Sequence, residues 1–314
     1  MNGAEISKAF FFEWGLPFIE REFPTMRERI AVGCFGGSQA LGHDDHLSRD
    51  HGWGPRFNIY LDEDYEVSDK EVVERICAAA PSDFNGYRCR GGGDRAVYLK
   101  RTEQFFKNLF LGDIPQCDSD WLCCLRKPDL FESDLYFLRH GPLFYDGSGR
   151  FSQLRSQAAR YPEDVWLLRT ADCAWQIAHY GEYNFCARLV ERGDPIPMQI
   201  ALGHFAEAVM RMYFYLDKDF TPYWKWLTAE FRKRAYSPIV EAKLSRLPQL
   251  QPSEQAQEVM EICGVLKERI IDMGVVPPNL DNPWKIGWFW IFRNELVRRI
   301  VDPGCRKVQD LVDA

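Results

Sequence analysis

A glycine-serine pair and an acidic residue follow an apolar segment near the start of the chain. The apolar segment covers residues 30–35, and Gly37 and Ser38 come directly after it. Ser-Arg-Asp, ending at Asp50, comes next, and a second apolar run begins near Arg56. A Gly-Ser turn at a helix start can bind phosphate oxygens through backbone N–H groups and a hydroxyl, and a carboxylate can bind a divalent metal ion. The order therefore indicates a site for a phosphorylated ligand and a metal, although Ser38 could also be an ordinary helix N-cap.

The second metal ligand is less clear from the sequence. Two carboxylates at positions i and i+2 share one face of a strand, but the residue two places after Asp50 is Gly52. Asp44 and Asp45 could fold back toward Asp50 and supply the missing oxygen ligand, or they could cap a turn or lie in solvent. The three histidines and three aspartates between residues 43 and 51 could instead form a transition-metal site, but they lack the spacing of a helical histidine pair.

Two further acids flank the third predicted strand, and either could supply another carboxylate ligand. Asp94 precedes the strand predicted at 95–101, and Glu103 follows it. We favour Asp94, because Glu103 could equally be an acidic residue in the first turn of a helix, stabilised by the helix dipole.

Several cations could bind the phosphates of the ligand. Arg56 could reach a phosphate or pair with Asp50. Lys225 lies between two tryptophans, which favours either a restrained site cation or a surface lysine packed over apolar rings. Arg188 is one of several charged residues near a predicted helix end. These residues could line the site or form an ion-paired loop.

The composition excludes some classes of protein. The chain has 314 residues, 46% of them apolar, with a net charge of −7. Such a chain can bury a large core, and its acidic balance argues against a nucleic-acid-binding protein. The ten cysteines show no zinc or disulfide pattern, and no apolar run is long enough for a membrane span. These features predict a cytoplasmic protein that does not bind membranes.

The pattern along the chain changes near residue 150. Apolar runs at 30–35, 56–62 and 95–101 predict strands, and helices are expected over 4–29 with a break at residues 15–17, over 66–79 and over 102–111. The segment 115–150 reads as loop-rich, with a strand or loop near its end. After that, helical periodicity dominates, most clearly over 163–182, 196–216, 253–273 and 284–301. We therefore predict an α+β fold: a mixed sheet with flanking helices in residues 1–150, followed by a helical bundle in 151–314.

The ordered set of these motifs resembles the nucleotidyltransferase superfamily that includes the kanamycin and minimal nucleotidyltransferases. Within it, the chain is similar to a bacterial family of predicted nucleotidyltransferases. The resemblance rests on the Gly-Ser pair at 37–38 and on residues 48–51, 53–56, 161–166, 193–194 and 222–226.

The resemblance implies an activity, with cofactors and partners. Such an enzyme transfers a nucleoside monophosphate from an NTP, here expected to be ATP, to a small hydroxylated acceptor with the help of Mg²⁺ or Mn²⁺. It implies that Asp50 and Asp94 are catalytic, that Asp50 and Asp45 bind metal, and that the nucleotide contacts Gly37, Ser38, Arg56, Lys225 and Arg188. Because Gly52 replaces one metal-binding acid, the alternative is a degenerate homologue that binds a nucleotide or metabolite without transfer. Neither a nucleic acid nor a membrane is expected as a partner, and a homodimer is left open.

Overall fold

The protein forms two compact units in a computed structural model that describes residues 1–49, 53–89, 95–121, 128–281 and 287–307. The first unit contains Met1–Pro115 and Leu130–Arg160, and the second contains Gln116–Asp129 and Tyr161–Ala314. The sequence predicts the division at residue 150; the structural division falls between residues 160 and 161, and the segment 116–129 joins the second unit.

A four-stranded mixed sheet is the centre of the first unit. The strands of the chain are β1 (Ile30–Gly33), β2 (Phe57–Leu61), β3 (Asp83–Phe84), β4 (Tyr87–Arg88), β5 (Val97–Arg101) and β6 (Leu143–Asp146). The sheet has the order β5-β2-β1-β6, in which β1 is antiparallel to β2 and β6, and β2 is parallel to β5. Strands β3 and β4 form a separate hairpin. The three strands predicted from apolar runs are confirmed, as is the α+β fold class.

Helices flank this sheet. The helices of the first 160 residues are α1 (Gly3–Phe10), α2 (Leu16–Glu22), α3 (Asp69–Ala79), α4 (Thr102–Phe110), α5 (Asp118–Trp121), α6 (Pro128–His140) and α7 (Arg150–Ala158). Of these, α5 belongs to the second unit. Single 3-10 turns occur at Met26–Arg29, Ser38–Leu41 and His46–Ser48. The predictions of α3 and α4 are confirmed. The loop-rich prediction for 115–150 was wrong over α6, because the prolines and glycines around this helix dominate the sequence pattern there.

The two faces of the sheet bury different side chains. One face packs Val32, Ile59 and Val97 against the N-terminal helices and α3. On the other face Tyr60 lies among phenylalanines, with Phe151 of α7 at a ring-centroid distance of 4.6 Å. Successive side chains of a strand point to opposite faces of the sheet. Because both faces are covered, β2 is buried on both sides for most of its length.

The N-terminal helix does not break where the sequence predicts. A π-helical segment, Phe11–Gly15, joins α1 to α2, and all the joining residues keep right-handed helical backbone angles. The wider i→i+5 bonding tolerates Pro17, whose nitrogen cannot donate a hydrogen bond. Gly15 is required for packing, because a Cβ there would lie 2.7 Å from the ring of Phe57.

The second unit is helical throughout its described elements. After α5 these are α8 (Glu163–Gln176), a π-helical segment (Ile177–Leu189), α9 (Val190–Arg192), α10 (Pro195–Leu216), α11 (Trp224–Phe231), α12 (Ser237–Arg246), a 3-10 turn (Leu247–Gln249), α13 (Pro252–Asp272) and α14 (Trp288–Arg299). The four predicted C-terminal helices are confirmed. They pack around fully buried side chains such as Phe205 and Phe214 of α10 and Leu266 of α13.

In the described part of the chain, no helix combines the length and apolarity that a bilayer crossing needs. The cysteines that the structure describes are present as thiols: Cys34, Cys77, Cys89, Cys117, Cys173, Cys186, Cys263 and Cys305.

Candidate functional site

The turn after β1 has a backbone conformation that favours glycine. Gly37 has φ +75°, in the left-handed region, and immediately precedes the 3-10 turn that begins at Ser38. A Cβ added at Gly36 or Gly37 would meet no atom of the described residues within 4 Å. Ser38 therefore begins a helical segment as predicted, although that segment is a single turn. Glycine is favoured at position 37 by the backbone angle rather than by crowding.

The Gly-Ser turn and the Ser-Arg-Asp segment lie together. The Ser38 hydroxyl donates to the backbone carbonyl of Ser48 across 3.3 Å. Asp50 follows Ser48 closely in sequence. This bond connects the two motifs on which the predicted phosphate and metal site depends.

Asp45 holds the same loop in place. Its Oδ1 atom accepts hydrogen bonds from the backbone N–H groups of Leu47, at 3.1 Å, and Ser48, at 3.0 Å. Hydrogen bonds from Ser48, chiefly from its hydroxyl, lower the pKa of the Asp45 carboxyl. Asp45 is thus the N-cap of a 3-10 turn, which is the capping role that the sequence left open. Metal binding by Asp45 stays a prediction.

Asp44 has a structural role that the sequence did not predict. It is buried, and its Oδ2 atom accepts from the Gly3 backbone nitrogen and from Trp53 Nε1, each at 2.7 Å. Trp53 also supports the guanidinium of Arg49, whose carbon lies 4.5 Å from the ring centroid. Asp44 therefore connects the start of α1 to this loop, and it neither lies in solvent nor caps a local turn.

The strand directions bring further polar residues to the edge of the sheet where β1 ends. Gly33 pairs with Asn58, and Asn58 pairs with Tyr98, so the end of β1 lies beside the starts of β2 and β5. The Asn58 amide donates to the Gly33 carbonyl at 3.4 Å, and the Arg56 guanidinium carbon lies 5.3 Å from the centroid of the Tyr98 ring. Sequence analysis missed Asn58 and Tyr98. The signal was available, because both are the second residue of a strand and point to the same face as Tyr60.

Of the two candidates for the third carboxylate, Glu103 lies within the described residues. Glu103 is in the first turn of α4, after the far end of β5, where its Oε1 accepts from Arg150 Nε at 2.7 Å. It therefore lies at the opposite edge of the sheet from Gly37, in agreement with the helix-dipole interpretation. Asp94 precedes β5 in sequence and lies outside the described residues.

Part of the predicted metal site cannot be placed. Asp50, His51, Gly52 and Asp94 lie outside the described residues, so their roles stay predictions. Among the residues that are described, no group of three or more histidine, cysteine, aspartate or glutamate side chains could hold a metal ion.

The two remaining candidate cations belong to the second unit. Lys225 is exposed on α11, and its Nζ lies 4.9 Å from the centroid of the Trp226 ring. Arg188 contacts Tyr183: its guanidinium carbon lies 3.7 Å from the ring centroid and its Nη2 donates to the phenol oxygen. Both cations stack on an aromatic neighbour, and their contact with a nucleotide stays a prediction.

Comparisons with known proteins give limited similarity. Residues 129–227 match the model of a domain of unknown function, DUF4037. A nucleotidyltransferase-like protein from Exiguobacterium sibiricum 255-15 is similar in structure, with 13% sequence identity, coverage of 94% of this chain and 91% of that chain, and a TM-score of 0.37. No curated protein matches the sequence. The functional argument therefore depends on the local geometry around Gly37 and Ser38.

Replacing Ser38 with alanine is expected to loosen this site. Loss of the hydrogen bond to the Ser48 carbonyl should lower the free energy of unfolding by about 0.5–1.5 kcal/mol. Loss of one phosphate ligand should weaken ATP binding by roughly tenfold. Ser68→Ala is the matched control, because Ser68 also precedes a helix of the first unit but makes no capping hydrogen bond through its side chain. Equal effects of the two substitutions on ATP affinity, measured by calorimetry, would argue against a role for Ser38.

Proposed function

We propose that this chain is a nucleotidyltransferase-like protein that binds an NTP at the sheet edge formed by the Gly37-Ser38 turn and the starts of β2 and β5. The observation that carries the proposal is the 3.3 Å hydrogen bond from Ser38 Oγ to the Ser48 carbonyl, because it joins the Gly-Ser turn to the segment that leads to Asp50. A phosphate-binding turn and a metal-binding carboxylate must be neighbours for one triphosphate to reach both.

In the proposed site, some residues would bind the phosphates and others would bind the metal. Backbone N–H groups after Gly37 would bind the β- and γ-phosphates, and on nucleotide binding the Ser38 hydroxyl would release the Ser48 carbonyl and donate its one proton to a phosphate. Arg56, near the start of β2, would offset phosphate charge. Asp50, together with Asp45 and Asp94, would hold Mg²⁺ or Mn²⁺, which in this chemistry neutralises the charge that develops on the phosphates.

The proposed reaction is the transfer of a nucleoside monophosphate to a small hydroxylated acceptor. The acceptor oxygen bonds to the α-phosphorus while the bond to the bridging oxygen breaks, and pyrophosphate leaves. The net charge of −7 favours a small acceptor over a nucleic acid.

A second candidate function is nucleotide binding without transfer. It is favoured by Gly52, and also by β2 and β5, whose sequences, Phe-Asn-Ile-Tyr-Leu and Val-Tyr-Leu-Lys-Arg, contain no carboxylate. An active site of this type usually takes one acid from a neighbouring strand, and Asp94 would have to supply it from outside β5.

Two measurements test the proposal and separate its two forms. Thermal unfolding of the full chain is recorded with each NTP and Mg²⁺ or Mn²⁺, because a ligand of the folded state raises the midpoint by mass action. Pyrophosphate release is then measured with candidate acceptors. A raised midpoint with release supports a transferase, and a raised midpoint without release supports the binding protein. No NTP effect on the midpoint in either metal would contradict both forms.

Adding an acid at position 52 is expected to strengthen metal binding. Gly52→Asp places a hard oxygen ligand two residues from Asp50, which should tighten Mg²⁺ binding by roughly tenfold. Gly112→Asp is the control, since a Cβ at Gly112, in the first unit, meets no atom of the described residues within 4 Å. Calorimetric titration of Mg²⁺ into both variants measures the difference. An unchanged affinity in correctly folded Gly52→Asp would mean that the missing acid does not limit the site.

A further inference from the structure

The second unit contains a pocket of about 520 Å³ that none of the predicted site residues lines. Its walls come from α10, the start of α12 with the residues before it, and the C-terminal part of α13. The residues from α13 and its end share one helix face, because they recur at intervals of three and four: Val265, Glu268, Arg269, Asp272 and Met273. Its size is that of an ordinary small-molecule site.

Two buried polar atoms in this pocket have no hydrogen-bond partner among the described residues: Tyr213 Oη and Arg269 Nε. The Tyr213 side chain, on α10, is only 1% exposed. Burial raises the pKa of Tyr213 to about 12, so the phenol keeps its proton at neutral pH and can donate a hydrogen bond. A buried donor without an acceptor destabilises the fold, and a ligand that supplies the acceptor would remove this cost.

Arg269 is held in position before any ligand binds. Its guanidinium carbon lies 3.7 Å from the centroid of the Tyr236 ring and 6.0 Å from that of Tyr213. One terminal nitrogen, Nη2, lies 4.0 Å from Asp217 Oδ1. The stacked side chain has lost much of its rotamer freedom, which lowers the entropic cost of using its Nε–H to bind a ligand.

The rest of the lining limits the chemistry of the ligand. Apolar side chains at the pocket are unusually exposed, namely Tyr236 at 61%, Ile239 at 63% and Met273 at 40%, and a bound apolar group would cover them. The exposed acids Glu268 and Asp272 would repel a ligand with several negative charges, such as a phosphate ester. One negative charge with two acceptor oxygens matches one phenol donor and one guanidinium donor.

We propose that this pocket binds a small apolar monocarboxylate. The carboxylate accepts hydrogen bonds from Tyr213 Oη and Arg269 Nε, and the apolar body packs on Tyr236, Ile239 and Met273. The carboxylate could belong to a simple acid or to an apolar amino acid, whose ammonium group would lie near Glu268 and Asp272. This site is independent of the nucleotide site proposed for the first unit.

The test compares a carboxylate with its neutral analogue. 3-Phenylpropionate, 3-phenylpropanol and phenylalanine are titrated into the full chain and followed by calorimetry. We expect 3-phenylpropionate or phenylalanine to bind at least about tenfold more tightly than the alcohol, which lacks the charged acceptor. If phenylalanine binds more tightly than 3-phenylpropionate, the ligand is an amino acid; the reverse order indicates a simple acid. Equal binding of all three, or no binding, would overturn the proposal.

Variants test the two donors separately. Tyr213→Phe removes only the hydroxyl and is expected to weaken carboxylate binding by roughly tenfold. Arg269→Gln should weaken carboxylate binding more. The control is Arg298→Gln, at an arginine whose side chain is 78% exposed, and it should not change the affinity. Without ligand, Tyr213→Phe should be at least as stable as the wild type, because it removes an unpartnered buried group. Unchanged carboxylate affinity in Tyr213→Phe together with lower stability would show that the hydroxyl binds an ordered water, and would contradict the proposal.

Discussion

Asp50→Asn is expected to reduce the affinity of the chain for MgATP by at least about 100-fold, because the amide cannot replace a charged oxygen ligand of the metal. Without metal, the variant should be as stable as the wild type or more stable, since a carboxylate placed for a cation is repelled by neighbouring acids until the ion binds. Calorimetric titration and thermal unfolding measure the two effects.

The control for this substitution is Asp64→Asn in the same unit. Asp64 follows β2, at the edge of the sheet opposite to the one where β1 ends. Its carboxylate is 63% exposed and paired with Arg29 at 2.8 Å. Exposed pairs of this kind contribute at most about 1 kcal/mol to stability, so both the affinity and the midpoint should change little. If Asp50→Asn bound MgATP as well as Asp64→Asn does, Asp50 would not be a metal ligand.

Phe151→Ala is expected to cost about 3–5 kcal/mol of unfolding free energy in the first unit. The ring is 1% exposed. It lies 5.0 Å from Phe35 and 5.3 Å from Phe106, measured between ring centroids. The truncation leaves a cavity under the sheet and also removes support from Phe35, which precedes the Gly37-Ser38 turn.

Phe12→Ala is the matched truncation, because the Phe12 ring is 39% exposed. It should cost clearly less than Phe151→Ala. Urea denaturation followed by hydrogen exchange of peptides from the first unit separates this loss from unfolding of the second unit. A loss below about 1 kcal/mol for Phe151→Ala would contradict the assignment of these aromatic rings to the core of the unit.

The sheet could be predicted because its strands are short, apolar and bounded by polar or turn residues. Strand β1 and most of β2 are buried, and the sequence pattern places both within two residues of their observed ends. The direction of β6 and the strand order depend on contacts between distant segments, for which a single sequence gives no local signal. The π-helical segments could not be predicted either, because the i→i+5 bonding arises from packing such as that of Gly15 on Phe57.

The candidate site was predictable in part for the same reason. Gly37 and Ser38 follow a strand that could be recognised, so their position at a turn followed from local pattern. The role of Asp44 could not be predicted from the sequence. One of its partners, Gly3, is far from it in sequence, and the other, Trp53, lies on another turn. Tyr213 and Arg269 were missed because their proximity depends on the packing of α10 against α13, and neither residue type is unusual in a helix.

Hydrogen–deuterium exchange of the full chain, with and without MgATP, tests the central claim most directly because it locates the bound nucleotide along the backbone. The proposed function predicts slower exchange in peptides that cover residues 34–41, where backbone N–H groups would bind phosphate, and in those that cover 48–57. It predicts little change around Tyr213 and Arg269. Unchanged exchange across residues 34–41 at millimolar MgATP, or protection confined to the second unit, would contradict a nucleotide site at the Gly37-Ser38 turn.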